Sequence, residues 1–107
     1  MVNNKFYSFI GICNKAGKVE VGYNKTEEAI IKGKVHLVII TDELSDNTKK
    51  KFKNYCDKHK VSLIENAETE ELSNMIMKRQ AKVVGITDKR MSDQLLKLWE
   101  TLDTNQI

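Results

Sequence analysis

A short apolar run near the middle of the chain restricts the possible fold more than any other feature. Residues 36–41 read His-Leu-Val-Ile-Ile-Thr, so apolar side chains follow one another without the alternation of a half-exposed strand. A run of this length and composition predicts a strand that is covered on both of its faces. Such strands lie inside sheets that carry helices on both sides, which indicates an α/β protein.

The remaining segments alternate between helical and strand periodicity. Apolar residues spaced by three and four predict five helices, with caps or first residues at Asn3 or Asn4, Asn24, Ser45 or Asp46, Thr69 and Asp88. Strands are predicted at Val19–Val21, His36–Thr41, Ser62–Glu65 and Val83–Thr87. The order α-β-α-β-α-β-α-β-α predicts one domain over residues 1–107, in which residues 103–107 form a loose tail.

This order predicts a parallel or mixed sheet between two layers of helices. With right-handed crossovers, the loops after the strands gather at one edge of the sheet, where ligands of open α/β sheets usually bind. The predicted loops are Gly22–Asn24, Thr41–Ser45, Glu65–Thr69 and Thr87–Lys89. The first two are candidate ligand-binding segments before any chemistry is assigned.

Charge is distributed unevenly along the chain. Residues 1–60 carry twelve Lys and seven Asp or Glu, whereas residues 61–107 carry six basic and eight acidic residues. A cationic half on a small domain indicates a polyanionic partner. No apolar run reaches the roughly 18 residues of a membrane span, and residues 1–10 do not resemble a secretory signal, so we expect a cytoplasmic protein without a membrane partner.

The sequence carries none of the common catalytic motifs. A Walker loop, a GxGxxG turn and a GxSxG elbow are absent, and Cys13 and Cys56 lack the spacing of a disulfide or zinc pair. His36 is expected at a strand start and His59 at a helix end. Asp42 follows a strand as in a phospho-accepting receiver domain, but no acids follow the first strand, so we expect a loop residue. We predict no enzymatic activity, no metal and no cofactor.

The segment of residues 22–33 is the most informative part of the chain. Asn24 followed by Glu27 matches a capping box, and Glu28 and Lys32 have the spacing of an ion pair on one helix face. Gly22 suits a turn with a positive φ. These residues are explained by helix formation alone.

Lys25 does not fit this purely structural interpretation, because a cation in the first helical turn opposes the helix dipole. A phosphate that binds and leaves would explain it, since helix N-termini and lysines both bind phosphate. Asn24 can hydrogen-bond a base edge, and Tyr23 either stacks on a base or covers the turn. The run from Lys49 to Lys53 is a solvated helix face or a further RNA contact, and we expect the first.

Several stretches of the chain recur in one known family. They are Gly22-x-Asn24-x-x-x-x-Ala29-Ile30-x-Lys32-Gly33, Leu37–Glu43, Thr48–Lys51, Cys56 and Val84–Lys89. Over residues 5–100 the sequence resembles the kink-turn-binding ribosomal proteins of the L7Ae/L30e type, and within them the small bacterial YlxQ-like branch.

The resemblance implies a three-layer α/β/α sandwich with a four-stranded mixed sheet, and no enzymatic activity. It also implies binding of a kink turn, a sharply bent RNA helix, or of ribosomal RNA, by a monomer that has no DNA partner. In the family, the glycine–asparagine turn and the start of helix two enter the widened RNA groove, while the loops after strands two and three pack on a flipped-out base and the backbone. Carried over by position, the predicted RNA-binding residues are Gly22, Asn24, Lys25, Lys32, Thr41, Asp42, Glu43, Asn66 and Ala67.

Two positions depart from the family's pattern. The family usually has Glu at the position of Lys25 and Lys at the position of Glu28, and a lysine cannot accept hydrogen bonds from a base. The third loop also carries the acids Glu65, Glu68, Glu70 and Glu71. These departures favour an alternative, a protein-interaction or regulatory domain that has kept the fold and lost specific RNA binding.

Overall fold

The computed structural model describes residues 4–105, with side chains for residues 5–101. The elements are α1 (Asn4–Lys15), β1 (Val19–Val21), α2 (Tyr23–Ile31), β2 (Leu37–Thr41), α3 (Asp46–His59), β3 (Ser62–Ala67), α4 (Thr69–Ile76), β4 (Val83–Ile86) and α5 (Lys89–Asn105). The predicted order of elements is confirmed. Among the described helices there is none with the length and apolar character of a membrane span.

The four strands form one mixed sheet in the order β1-β4-β2-β3. β2 and β3 are parallel, whereas β4 runs antiparallel to both of its neighbours, β1 and β2. All five residues of β2 are buried, which confirms that the apolar run is a strand covered on both faces.

Helices cover both faces of the sheet and complete the predicted α/β/α sandwich. α1, α4 and α5 pack over one face, where they contact Leu37 and Ile39 of β2. α2 and α3 pack over the other face, against Val38 and Ile40. Gly85 of β4 lets α2 lie close to the sheet, because a Cβ there would come within 3.2 Å of a Thr26 methyl carbon.

The direction of β4 decides which loops meet at an edge. The carboxyl ends of β1, β2 and β3 lie at one edge, next to the start of β4. There the Gly22 N–H donates to the Val83 carbonyl at 2.9 Å, and the Thr41 N–H donates to the Lys82 carbonyl at 3.1 Å. We call this edge, with residues 22–25, 41–45 and 65–69, the loop edge.

The predicted grouping of loops is wrong for the fourth loop. The segment Thr87–Lys89 follows an antiparallel strand and lies at the opposite edge, where the Thr87 N–H donates to the Lys18 carbonyl at 2.9 Å. Three of the four predicted loops therefore gather, because an antiparallel strand reverses the edge at which its own connection emerges.

Several element boundaries also differ from the predictions. β2 begins at Leu37 rather than His36, and β4 ends at Ile86 rather than Thr87. α2 begins at Tyr23 with Gly22 as its N-cap, two residues earlier than predicted. β3 continues through Ala67. α5 continues to Asn105, so residues 103–105 are helical rather than a loose tail. Asn3 and residues 106–107 lie outside the described part of the chain, so the predictions made for them are not addressed.

Two predicted helix caps are present. The Thr48 N–H donates to the Ser45 hydroxyl at 3.2 Å at the start of α3, and the Met91 N–H donates to the Asp88 carboxylate at 2.9 Å at the start of α5. Side-chain acceptors at these positions satisfy backbone donors that the first helical turn leaves free.

Candidate functional site

The turn between β1 and α2 depends on the backbone of Gly22. This residue has φ 102° and ψ 162°, a conformation that residues with a side chain adopt only under strain. A Cβ at Gly22 would meet nothing within 4 Å, so the requirement for glycine is conformational rather than steric. The Gly22 carbonyl accepts a bond from the Thr26 N–H at 3.1 Å, which begins α2 at the loop edge.

Asn24 does not cap α2, and the predicted capping box is wrong. Asn24 is already the second residue of the helix, its side chain is exposed, and the helix start carries no side-chain cap bond. Glu27, the expected partner within the box, instead accepts a hydrogen bond from the Tyr55 hydroxyl of α3 at 2.5 Å. The Asn24 amide thus faces solvent at the loop edge, with a donor and an acceptor available to a ligand.

Aromatic side chains join α2 to α3 beneath this turn. The rings of Tyr23 and Phe52 lie 5.1 Å apart in an edge-to-face arrangement, and those of Phe52 and Tyr55 lie 5.8 Å apart. Tyr23 is half-buried in this cluster, which favours a covering role over stacking on a base. The hydrogen bond to Glu27 is the main cause that raises the pKa of Tyr55 to about 12.

Cationic side chains line the exposed face of α2. Lys25 is exposed in the first turn and makes no ion pair with any side chain in the described part of the chain. With Lys32 and Lys34 it lines a groove of about 210 Å³, which also contains the carboxylates of Glu20 and Glu28. We call the segment 22–25 of the loop edge, together with Lys32 and Lys34 beyond the C-terminal end of α2, the α2 half.

The predicted Glu28–Lys32 ion pair is present in this groove, with an N···O distance of 2.6 Å. The hydrogen bond between the two groups lowers the pKa of Glu28 and raises that of Lys32. Both side chains are more than half exposed, so the pair is screened by water and a phosphate can compete with Glu28 for Lys32.

The loops after β2 and β3 form the other half of the edge. Asp42 and Glu43 are exposed there, but Thr41 is fully buried. Ala67 is also fully buried and belongs to β3, so the prediction of a loop position is wrong for it, and neither Thr41 nor Ala67 offers side-chain surface to a ligand.

A bulge in β3 shapes this half. Ile39 pairs with Ile64 but Thr41 pairs with Ala67, so β3 contains one extra residue over this step. Asn66 lies in the bulge with φ 65°, and its side chain is exposed. Bulges bend a strand and re-aim its side chains, and they are frequent beside binding sites. Asn66 is therefore strand rather than loop, yet it remains accessible to a ligand.

The Tyr7 hydroxyl accepts a hydrogen bond from the Glu68 N–H at 2.9 Å and lies within the electrostatic influence of three acidic side chains. Burial is the main cause that raises the pKa of Tyr7, and the nearby charges of Glu68, Glu71 and Asp42 add to it. We call residues 41–45 and 65–69 with Glu71 the β2–β3 half. The loop edge thus has a cationic α2 half and an acidic β2–β3 half.

Sequence analysis missed two features of this edge. Lys34 lines the α2 groove with Lys25 and Lys32, which the pattern Lys-Gly-Lys at residues 32–34 could have indicated. The Glu27–Tyr55 bond joins residues that are 28 positions apart, and no local pattern marks it.

Neither cysteine contributes a reactive group. Both thiols are free and buried, and burial raises the pKa of Cys13 to about 11 and that of Cys56 to about 12. The thiolate is the nucleophilic form, so both groups are unreactive at neutral pH.

Comparisons with known proteins identify the fold and the family. Residues 4–96 match the family described as ribosomal protein L7Ae/L30e/S12e/Gadd45. The RNA-binding protein YlxQ of Bacillus subtilis is 29% identical over 98 residues, covering 92% of this chain and 98% of that protein. The RNA-binding protein YlxQ of Enterococcus faecium is 32% identical over 96 residues, covering 90% of this chain and 92% of that protein.

Two solved structures are similar to this one. A protein of unknown function from Bacillus halodurans has a TM-score of 0.84 at 26% identity, covering 88% of this chain and 95% of that chain. The 15.5kD RNA binding protein of Giardia lamblia has a TM-score of 0.73 at 14% identity, covering 92% of this chain and 84% of that chain. The chain belongs to the ribosomal protein L7Ae/L30e/S12e/Gadd45 family, in the branch of the bacterial YlxQ proteins.

Proposed function

We propose that the protein is a small, non-catalytic RNA-binding protein that recognises a kink turn or a related structured RNA through its loop edge. The names of its YlxQ relatives support an RNA partner. The single observation that carries the proposal is the exposed pair Asn24 and Lys25 at the N-terminus of α2, held in place by the turn at Gly22. Ribosomal RNA is the candidate source of the target, bound by a cytoplasmic monomer without a DNA or membrane partner.

The α2 half offers two kinds of contact. The free N–H groups at the start of a helix and the ammonium group of Lys25 attract phosphate, which sets the position of the RNA. The Asn24 amide can pair with a base edge, and Lys25 can donate to guanine O6 or N7 or to phosphate. Neither group requires the RNA to react, so binding alone accounts for these side chains.

The position of these residues at a helix end favours a bent RNA over a regular duplex. The major groove of A-form RNA is too deep and narrow for side chains to enter, whereas a bent stem opens the groove. The α2 half can enter such a groove while the acidic β2–β3 half stays away from the phosphates. We propose that Asp42, Glu43 and Asn66 lie near an unpaired base rather than near the backbone.

The acidic β2–β3 half favours one alternative function. Asp42, Glu68 and Glu71 gather near Tyr7, and such a surface repels a polyanion. A protein-interaction domain without specific RNA binding would retain the fold and this surface.

A binding titration separates the two functions. The affinity of the wild-type protein for a kink-turn hairpin is compared with that for a straight duplex of equal length at two salt concentrations. We expect the hairpin to bind more tightly at both, and Asn24→Ala to weaken hairpin binding by about 1–3 kcal/mol, as is usual for a base contact.

The matched control is Asn54→Ala, since Asn54 is an exposed asparagine on α3. Equal affinity for hairpin and duplex, or equal effects of the two substitutions, would contradict specific recognition and leave only electrostatic attraction.

A further inference from the structure

An apolar groove lies between α1 and α4, on the helix layer opposite α2 and α3. Its volume is about 290 Å³, and apolar side chains from Ile12, Met75 and Met77 line it. Ile12 is 53% exposed and Met77 is 83% exposed, and both line this groove, whereas exposed apolar side chains are normally scattered singly.

The groove is part of the rigid packing of the two helices. The helices are in contact at Gly11, where a Cβ would lie 3.4 Å from the Met75 sulfur. The Asn14 amide donates to the Ile76 carbonyl at 3.2 Å and so holds the end of α4 against α1. The groove therefore exists before any partner binds.

Met77 occupies a position that favours glycine. It follows the last residue of α4 with φ 64°, in the left-handed conformation that commonly ends helices and is usually taken by glycine. Its N–H donates to the Ser73 carbonyl at 2.8 Å, and the Ala81 N–H donates to the Ser73 hydroxyl at 2.8 Å, so the turn is well bonded. The protein thus exposes a large, flexible apolar side chain to solvent at a backbone position where glycine would be less strained.

Basic residues lie on one wall of the groove and beyond Met77 at its side. Lys15 lies on the α1 wall, and a second shallow cavity that shares Asn74 and Met77 continues the surface to Lys78 and Arg79. Among the described residues that line these two cavities, none is Asp, Glu or an aromatic residue. A base would find no ring to stack on, whereas an acidic peptide would find both charge complementarity and an apolar floor.

We infer that this groove is a docking site for an acidic peptide segment of a partner protein, which inserts an apolar side chain between Ile12 and Met77. Methionine is common at such surfaces because its unbranched, polarisable side chain adapts to its partner. The groove and the loop edge share no lining residue, because the groove uses the C-terminal end of α4 and the loop edge its N-terminal end, so the peptide would leave the loop edge open to RNA. The inference does not depend on the proposed RNA function.

A display library of random 12-residue peptides tests the inference. It is selected in parallel against the wild-type protein, against Met77→Gly and against the double variant Lys78→Glu with Arg79→Glu. The control is Ile31→Ser, since Ile31 is an exposed apolar residue of α2 with 58% exposure that lies outside the groove.

We expect the wild-type selection to enrich peptides that carry a large apolar residue flanked by Asp or Glu. Such peptides should bind Met77→Gly and the charge-reversed variant at least tenfold more weakly and Ile31→Ser unchanged. Met77→Gly should keep or raise the thermal midpoint, because glycine suits the left-handed position. Thermal melts therefore separate lost binding from lost folding.

Three outcomes would overturn the inference. They are enrichment of basic or uncharged peptides, peptides that do not distinguish the wild type from Met77→Gly, and a fall in the midpoint of Met77→Gly that shows Met77 to serve the protein's own fold. A single-stranded oligouridine that competes with the selected peptides would likewise assign the groove to RNA instead.

Discussion

The two halves of the loop edge are built on strands of one sheet that β4 separates, and they differ in charge and in the way that they are held. The α2 half presents Lys25 and Lys32 from a helix that is bonded to α3 through Glu27 and Tyr55. The β2–β3 half presents Asp42 and further acids near the Tyr7 hydroxyl of α1.

This difference in charge limits the directions from which a polyanion can approach the protein. Under the proposed function, an RNA backbone would lie along the α2 half, because the acidic β2–β3 half repels phosphate. The same sheet edge thus carries an attractive and a repulsive surface, and the four predictions that follow test each in turn.

Gly22→Ala should have the largest effect, because alanine at φ 102° adopts a strained conformation that costs about 1–3 kcal/mol of unfolding free energy. It should also weaken RNA binding by the folded protein, since the start of α2 shifts. Gly17→Ala is the matched control, because Gly17 has φ 73°, has nothing within 4 Å of a Cβ and lies away from the loop edge. Chemical denaturation measures the unfolding free energy of each variant, and RNA titration measures its affinity. If Gly17→Ala loses as much RNA affinity as Gly22→Ala, the geometry of the turn at Gly22 does not matter specifically for RNA binding.

Tyr7→Phe removes the acceptor of the Glu68 N–H and should lower the unfolding free energy by about 1 kcal/mol. Tyr55→Phe, which removes the donor to Glu27, should have a smaller effect on stability, because its partner carboxylate can then be hydrated. We expect Tyr55→Phe rather than Tyr7→Phe to weaken RNA binding. Tyr55 bonds to Glu27 of α2, whereas Tyr7 bonds to Glu68 of the β2–β3 half. The reverse pattern, measured by titration, would assign the RNA contact to the β2–β3 half.

Lys25→Ala should reduce the slope of log affinity against log salt by about 1, as expected for the loss of one phosphate contact. Lys50→Ala is the matched control, since Lys50 is an exposed lysine of α3 in the run predicted to be a solvated face. RNA titrations at a series of salt concentrations provide the slopes. If both variants lower the slope equally, attraction is spread over the cationic surface instead of being concentrated at the α2 half.

Glu28→Gln should produce the smallest effect, an increase in RNA affinity of roughly twofold, because it frees Lys32 from its exposed ion pair. The control is Asp93→Asn, which frees Lys89 from a similar i,i+4 pair at 3.0 Å on α5. A change in affinity for the control and not for Glu28→Gln, measured in low salt, would exclude Lys32 from the binding surface.

Local patterns predicted the elements well, because each depends on residues that are near in the chain. The buried strand β2 followed from its apolar run, and the caps at Ser45 and Asp88 followed from side chains three positions from their donors. The Glu28–Lys32 pair likewise needed only the geometry of one helix.

Two of the errors involve residues that are distant in the chain. Glu27 bonds to Tyr55 of another helix, which leaves Asn24 without the capping box that the local pattern indicates. The loop Thr87–Lys89 lies at the edge opposite to the predicted one, because β4 inserts between β1 and β2 in the antiparallel direction.

The sequence by itself determined the order of helices and strands, the caps at Ser45 and Asp88 and the Glu28–Lys32 pair, since periodicity and local hydrogen bonding act over a few positions. Only the tertiary structure decided that the loop Thr87–Lys89 lies at the opposite edge, that Glu27 bonds to Tyr55, and that Ile12 and Met77 form one groove. The physical reason is that strand direction and helix packing bring together residues which no local interaction connects.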